Sequence, residues 1–175
     1  MTRVRVPSLA AVLLLLSSVS TLAQESKSAA LVKQLTAALD AGKLDAVAAK
    51  DPSAPDAFCA ALYFPNSELL VVAARYSAPQ LLADRVAKKE YRDAYIDLTS
   101  ASMPETKVFV QDTAADGLKA QGFDSYEEKG KTMTFDGDWK KQKISEQDYQ
   151  KAFAAADARY VEILTALLAQ LKKTS

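Results

Sequence analysis

Histidine is absent from this chain of 175 residues, and cysteine occurs once. Without histidine the chain lacks the commonest general base and the commonest metal ligand of proteins, which excludes Ser-His-Asp and Cys-His catalysis on this chain alone. A single cysteine also excludes an intramolecular disulfide. That residue, Cys59, lies in the apolar run 57–64, where we expect a small buried hydrophobe; a reactive thiol or an intermolecular bridge is the alternative.

A long apolar run is also missing from the N-terminal region, where the apolar stretch covers only residues 9–16. The alternative to a signal peptide is a retained membrane anchor. This run is short for an anchor, because a helix needs roughly 20 apolar residues to cross a bilayer. Arg3 and Arg5 precede this stretch, and small residues lead up to Ala23, a pattern typical of a signal peptide that is cleaved after Ala23. The sequence therefore predicts a signal peptide over 1–23 and a single exported domain over 24–175, periplasmic or secreted, with no stable membrane insertion after cleavage.

An excess of either charge is lacking as well. The whole chain carries 22 basic and 22 acidic residues, and loss of Arg3 and Arg5 with the signal peptide leaves a net charge of −2. Because nucleic-acid binding normally requires a basic stripe that displaces counterions from phosphates, we do not expect a nucleic-acid partner.

The exported domain begins with helical periodicity. Leu31, Leu35 and Leu39 recur at helical spacing, and this helix is expected to end at or near Gly42. A further short turn of helix is predicted between there and Lys50. Two prolines follow within five residues and close the segment, because each proline disfavours helix in the residue before it.

Two apolar runs, 57–64 and 69–76, predict a β-hairpin. The prolyl ring of Pro65 presets the first corner of the turn, and Asn66 tolerates the left-handed conformation at the next. Neither run alternates apolar with polar residues. Both strands are therefore expected in the middle of a sheet, or covered on both faces.

The chain after the hairpin offers weaker signals until its last helix. We predict a helix over 77–89, strands over 91–98 and 107–112, a long loop over 113–129, a strand over 131–135, and a short return strand at Trp139 after a tight Asp-Gly turn.

The C-terminal helix is the best-specified element of the sequence. Ser145 is expected to cap it with Asp148 in the reciprocal position, and Ile144 is expected to pack on Tyr149. An apolar stripe marks one face, and it comprises Tyr149, Phe153, Ala156, Tyr160, Ile163, Leu164, Leu167, Leu168 and Leu171. A docked core helix is favoured over a self-associating coiled coil, because the polar flanks lack a sustained charge code.

The order of elements is helix, strand, strand, helix, strand, strand, strand, helix. It predicts a single α+β domain in which an antiparallel sheet of about five strands packs against the N-terminal and the long C-terminal helix.

Three basic side chains are candidates for an anion site. Arg75, Arg92 and Lys107 lie at the ends of predicted strands and would bind a small anionic ligand if the fold brings them together. A structural ion pair between one of the arginines and Asp97 is the alternative.

Three aromatic residues on or beside the predicted loop are candidates for ligand contacts. Phe123, Tyr126 and Trp139 could cover a flat ligand as a lid, or they could anchor the loop to the core, the commoner use of aromatic residues in long loops. The acids Asp136 and Asp138 lack the spacing of a calcium-binding loop and fit a plain hairpin turn, so we assign no metal ligand.

The order of elements over residues 26–172 resembles that of the profilin-like α/β sandwiches, including the roadblock type. The early hairpin with a further strand and a short helix is also similar to the split-barrel flavin-binding family. That second resemblance implies a flavin such as FMN as cofactor, although no Arg/Lys and Ser/Thr pattern here corresponds to a flavin phosphate site. Both resemblances concern element order and include no sequence motif.

The sequence leaves two main hypotheses for the function. The first is a non-enzymatic exported module that binds a partner protein or a small ligand, since no nucleophile motif is present and no catalytic residue is assigned. The second is a flavin-type or other anionic small-ligand site between the sheet and the 113–130 loop. An enzyme with carboxylate, lysine or tyrosine chemistry is a third alternative, and self-association as a homodimer is left open.

Overall fold

The computed structural model describes residues 26–41, 46–74 and 106–174, which contain two helices and six strands. In chain order these are α1 Lys27–Ala38, β1 Ala46–Lys50, β2 Phe58–Tyr63, β3 Leu69–Ala74, β4 Thr106–Asp112, β5 Gln121–Glu128, β6 Lys131–Asp136 and α2 Glu146–Thr174. The predicted helix over 77–89 and the predicted strand over 91–98 lie outside the described residues.

All six strands belong to one antiparallel sheet, in which every strand pairs with its neighbours along the chain in the order β1-β2-β3-β4-β5-β6. The predicted α+β class, the antiparallel sheet and the terminal helices are confirmed. The sheet of six strands is larger than the one predicted.

A first correction concerns residues 46–50, which we predicted as a short turn of helix and which form β1. The sequence Ala-Val-Ala-Ala-Lys favours helix locally, because alanine is the strongest helix former. The strand forms because its whole length pairs with β2, and because Val47 and Ala49 are buried on the sheet. Pairing with a distant strand overrides a weak local preference.

A second correction concerns residues 113–129, which we predicted as one long loop. The loop ends at Ala120, and Gln121–Glu128 forms β5 between β4 and β6. The register with β6 shifts between Gln121 and Asp124, and the strand buries the charged Asp124 and exposes the apolar Phe123, so no apolar alternation revealed it. The predicted return strand at Trp139 is also wrong, because this residue lies in the turn after β6.

The predicted hairpin of β2 and β3 is confirmed, and the two strands pair along their whole length. Both lie inside the sheet, and all six residues of β3 are buried, as expected of a strand that is covered on both faces. The left-handed residue of the turn is Ser67, with φ 62°, rather than Asn66.

The main core lies between the two helices and one face of the sheet. Its largest fully buried side chains include Leu35 of α1, Phe135 of β6 and Tyr160 of α2, and every strand contributes to it. Cys59 belongs to this core and has no exposed surface, as predicted. A smaller buried cluster on the opposite face comprises Ala60, Leu62, Leu70, Val72 and Ala74, with Ala48, Phe64 and Phe109 packed against it.

The start of α2 confirms the predicted cap. The backbone N–H of Asp148 donates to Ser145 Oγ at 3.1 Å, and the Ser145 hydroxyl donates to the Asp148 carboxylate at 2.7 Å. The predicted stripe packs on the core, with Tyr149, Ala156, Tyr160, Ile163, Leu164 and Leu167 buried and Phe153, Leu168 and Leu171 packed at the margin. Neither described helix is long and apolar enough to cross a membrane.

Candidate binding surface

Phe123 is a large hydrophobic side chain on the surface of the protein, with 73% of its area exposed. Its φ is 61°, a left-handed backbone conformation that costs a residue with a side chain about 1–2 kcal/mol. It lies in the bulge of β5, where the register with β6 shifts between Gln121 and Asp124. A single exposed apolar residue is ordinary on protein surfaces. Ser67, Ala115, Lys129 and Lys143 also have a positive φ, but among the described residues only Phe123 combines this conformation with a large exposed apolar side chain. Strained conformations cluster at functional sites.

The bulge is held by the buried carboxylate of Asp124. Its Oδ1 accepts a hydrogen bond from the Thr113 N–H at 3.0 Å, and its Oδ2 accepts one from the Lys119 N–H at 2.8 Å. The Thr113 hydroxyl donates to the carbonyl oxygen of Phe123 at 3.3 Å. These bonds tie Phe123 and Asp124 to the β4–β5 loop, so the surrounding structure imposes the left-handed conformation on Phe123.

A second buried carboxylate, that of Asp112, organises the start of the same loop. It accepts hydrogen bonds from the N–H groups of Asp116 at 3.1 Å and Gly117 at 2.8 Å, and the Tyr160 hydroxyl donates to it at 3.4 Å. Gly117 has φ 90°, and a Cβ atom at this position would lie 2.5 Å from the backbone of Ala29 in α1. Only glycine therefore lets the loop pack directly on α1.

Burial raises the pKa of both loop carboxylates, and Asp124 raises that of Asp112 further. Burial raises the pKa of Asp112 to about 6, and repulsion from Asp124 is the next cause. Burial likewise raises the pKa of Asp124, against the lowering effect of its two N–H bonds. A third buried acid, Asp157, accepts two N–H bonds at the start of α1, at 2.9 and 3.2 Å. All three carboxylates thus hold backbone segments in place.

A shallow, open depression of about 500 Å³ lies next to the bulge. Its lining residues are Gln121, Asp136, Gly137, Asp138, Trp139 and Lys140. Gln121 pairs with Asp136 across the hairpin and precedes Phe123 by two residues, which places the bulge at the rim of the depression. We call Phe123 together with this depression the Phe123 surface.

The charges of the turn after β6 balance. Asp136 Oδ1 accepts from the Asp138 N–H at 2.9 Å, and Asp138 Oδ1 accepts from the Lys141 N–H at 3.0 Å. The N–H bond from Asp138, with the Lys141 ammonium 3.6 Å away, keeps the pKa of Asp136 below its usual range. The Lys140 ammonium lies 5.2 Å from the centre of the Trp139 ring. Two carboxylates and two ammonium groups therefore share one turn.

Two of the predicted ligand-contacting residues, Phe123 and Trp139, lie on this surface. Trp139 is half-buried against the core, so it also serves as the anchor that we predicted as an alternative. Tyr126 lies elsewhere: it is buried in the core and donates to the Glu128 carboxylate at 3.0 Å, and burial raises the pKa of its hydroxyl. Because residues 121–128 form a strand, Phe123 and Tyr126 do not belong to a loop that could act as a lid.

The predicted anion site is described only in part. Lys107 lies at the start of β4, beside Val108, which pairs with Glu128 at the far end of β5. Along a strand, the distance from there to Phe123 is roughly 17 Å, so Lys107 is remote from the Phe123 surface. Arg75 and Arg92 lie outside the described residues.

Sequence reasoning missed the buried carboxylates and one buried ion pair. Both carboxylate oxygens of Asp51 accept from Arg159 Nη2, at 2.8 and 2.7 Å, which ties α2 to the connection between β1 and β2. The Ser53 N–H also donates to Asp51 at 2.9 Å, a local turn that an Asp-Pro-Ser sequence could have indicated. No local signal points to Arg159, which is 108 residues away.

The described residues offer little reactive chemistry. Burial raises the pKa of the Cys59 thiol to about 12, so it is not a nucleophile at neutral pH. Within residues 26–41, 46–74 and 106–174, no group of three or more acidic or cysteine side chains is placed to share a metal ion.

Comparison with known proteins assigns no family to this chain. No family model matches it, and neither does a curated protein or a solved structure. The resemblances in element order therefore stay predictions, and the geometry of the Phe123 surface is what points to a function.

Proposed function

We propose that this chain is an exported, non-enzymatic module that binds a partner protein or a small ligand through the Phe123 surface. The observation that supports this most strongly is the exposed side chain of Phe123 on a left-handed backbone that three hydrogen bonds hold in place. Aromatic residues are enriched at the centres of binding interfaces. A rigidly presented ring loses little conformational freedom on binding, so more of its contact energy remains as affinity.

The roles of the buried titratable groups support binding rather than catalysis. Asp112 has a pKa of about 6, which would suit general acid–base chemistry, but it has no exposed surface and its oxygens accept backbone N–H bonds. Asp124 and Asp157 are engaged in the same way.

Export remains part of the proposal, and it depends on the predicted signal peptide over residues 1–23, which precedes the described residues. The alternative of a flavin-type or other anionic ligand at Arg75, Arg92 and Lys107 stays a prediction. No contact among the described residues favours it over the Phe123 surface.

Native mass spectrometry of the mature chain, residues 24–175 purified from the exported fraction of its own cells, tests the proposal. We expect a non-covalent adduct on the wild-type chain whose mass identifies a protein or a small molecule. Phe123→Ala should reduce its occupancy at least about tenfold, since burying a phenylalanine ring contributes about 1.5–3 kcal/mol. The control Gln34→Ala changes an exposed residue of α1 and should leave the adduct unchanged. An adduct that Phe123→Ala leaves intact would contradict the proposal, and so would a wild-type chain that is seen only at its free mass and also fails to self-associate at high concentration.

A further inference from the structure

The Phe123 surface contains an exposed ring next to a depression, and carboxylates next to ammonium groups, so it is complementary to itself. We propose that its partner is a second copy of this chain, and that the two copies form a two-fold symmetric dimer through this surface. The inference rests on the proposed role of the Phe123 surface as a binding site.

The shape of the surface is the first argument. In a two-fold dimer the same patch of both copies meets, so a residue that stands out of the patch needs a depression within that same patch. Phe123 is 73% exposed, and the depression of about 500 Å³ begins at Gln121, two residues earlier in the same strand. Each copy can therefore offer its ring to the depression of the other. Within residues 26–41, 46–74 and 106–174, the adjacent strand β6 pairs on one side only, so a second molecule can approach its other side.

The charges of the surface are the second argument. The depression is lined by Asp136, Asp138 and Lys140, and the adjacent Lys141 places its ammonium 3.6 Å from Asp136, so the patch together with Lys141 is neutral. A strongly basic or strongly acidic partner would meet as many like charges as opposite ones. A second copy rotated by 180° can place its two lysines opposite the two acids of the first copy, and both sets of charges are then complementary.

The size of the surface indicates how tight the dimer is. Two short segments form it, whereas a stable interface of standard size uses roughly 20–30 residues on each side. We therefore expect a reversible dimer with a dissociation constant in the micromolar to millimolar range, and not an obligate one.

Sedimentation equilibrium of the mature chain from about 10 µM to about 1 mM tests the inference, with each variant first checked for native folding by circular dichroism. The wild-type chain should approach a dimer mass as concentration rises. Because a two-fold contact contains each residue twice, Phe123→Ala should raise the dissociation constant about a hundredfold, with about tenfold from each ring.

A pair of charge variants provides the matched control. Lys140→Glu with Lys141→Glu makes the surface wholly acidic, so that like charges meet in the dimer, and we expect dissociation to increase at least about tenfold. Lys172→Glu with Lys173→Glu makes the same change of net charge in the last turn of α2 and should leave the dissociation constant unchanged.

A wild-type chain that is monomeric over the whole range, or a dimer that Phe123→Ala does not weaken, would overturn the inference. These results would not by themselves contradict the proposed binding function, which the native mass spectra test separately. A monomeric chain whose adduct with another molecule still depends on Phe123 would retain the proposed function and lose only the dimer.

Discussion

The strain at Phe123 leads to a prediction in which two variants lose binding alike but differ in stability. Phe123→Gly and Phe123→Ala both remove an exposed ring, so both should lose binding. They differ in backbone cost, because alanine at φ 61° still carries the left-handed penalty of about 1–2 kcal/mol and glycine does not. Glycine gives back about 0.5–1 kcal/mol through its greater freedom in the unfolded chain. At the middle of these ranges, Phe123→Gly should therefore be more stable than Phe123→Ala by about 0.75 kcal/mol.

Lys131 provides the matched control, since it is exposed, lies in the neighbouring strand β6 and does not have a positive φ. There the order should reverse, with Lys131→Gly less stable than Lys131→Ala by about 0.5–1 kcal/mol. The difference between the two glycine-to-alanine comparisons is then about 1–2 kcal/mol, which urea unfolding of the four variants can resolve.

The result that refutes the reasoning is a Phe123→Gly variant no more stable than Phe123→Ala while the Lys131 pair behaves as expected. Phe123 would then carry no backbone strain, and the argument for function from its conformation would fail. If glycine is more stable yet binding is lost in both variants, stability at this position is given up for a contact outside the chain.

Three further predictions follow from buried groups. The pKa of Asp112 is raised from 3.8 to about 6 in the folded protein, so the native state binds more protons than the unfolded chain between these values. The free energy of unfolding, measured in urea titrations, should therefore fall by about 2 kcal/mol from pH 4 to pH 6, and this part of the slope should be missing in Asp112→Asn. Arg159→Met should destabilise the protein by about 3–5 kcal/mol, because the Asp51 carboxylate would remain buried without its partner, and a loss below about 1 kcal/mol in urea unfolding would contradict the role assigned to the pair. The thiol of Cys59 is buried and has a pKa of about 12. At pH 8 it should react with a thiol-specific reagent at least about a hundredfold more slowly in the native chain than in the urea-unfolded chain. Equal rates would show that the thiol is accessible.

The fold could be predicted from the sequence where the signal is local. The β2–β3 hairpin follows from two apolar runs around a proline turn, and the start of α2 follows from Ser145 with Asp148 three residues later. In each case residues close in sequence determine the element. The burial of Cys59 was predictable for the same reason, because its neighbours on both sides are apolar.

Local patterns did not predict β1 and β5. An alanine-rich segment becomes β1 only because β2 is there to pair with it. The composition of β5 disguises it as a loop, since the charged Asp124 is buried in it while the apolar Phe123 is exposed, and its apolar residues therefore do not alternate. Phe123 was named from the sequence as a candidate contact within a predicted loop whose second half is β5, and Trp139 as one beside that loop.

The sequence by itself therefore determined the class of fold, the covered middle of the sheet and the position of the last helix, because periodicity and caps depend on residues a few positions apart. Only the tertiary structure decided how Phe123 is presented. Its conformation depends on hydrogen bonds that Asp124 makes across the β4–β5 loop, and that loop is held in turn by its packing on α1. Such contacts join residues that no local pattern relates, and their geometry exists only once the chain has folded.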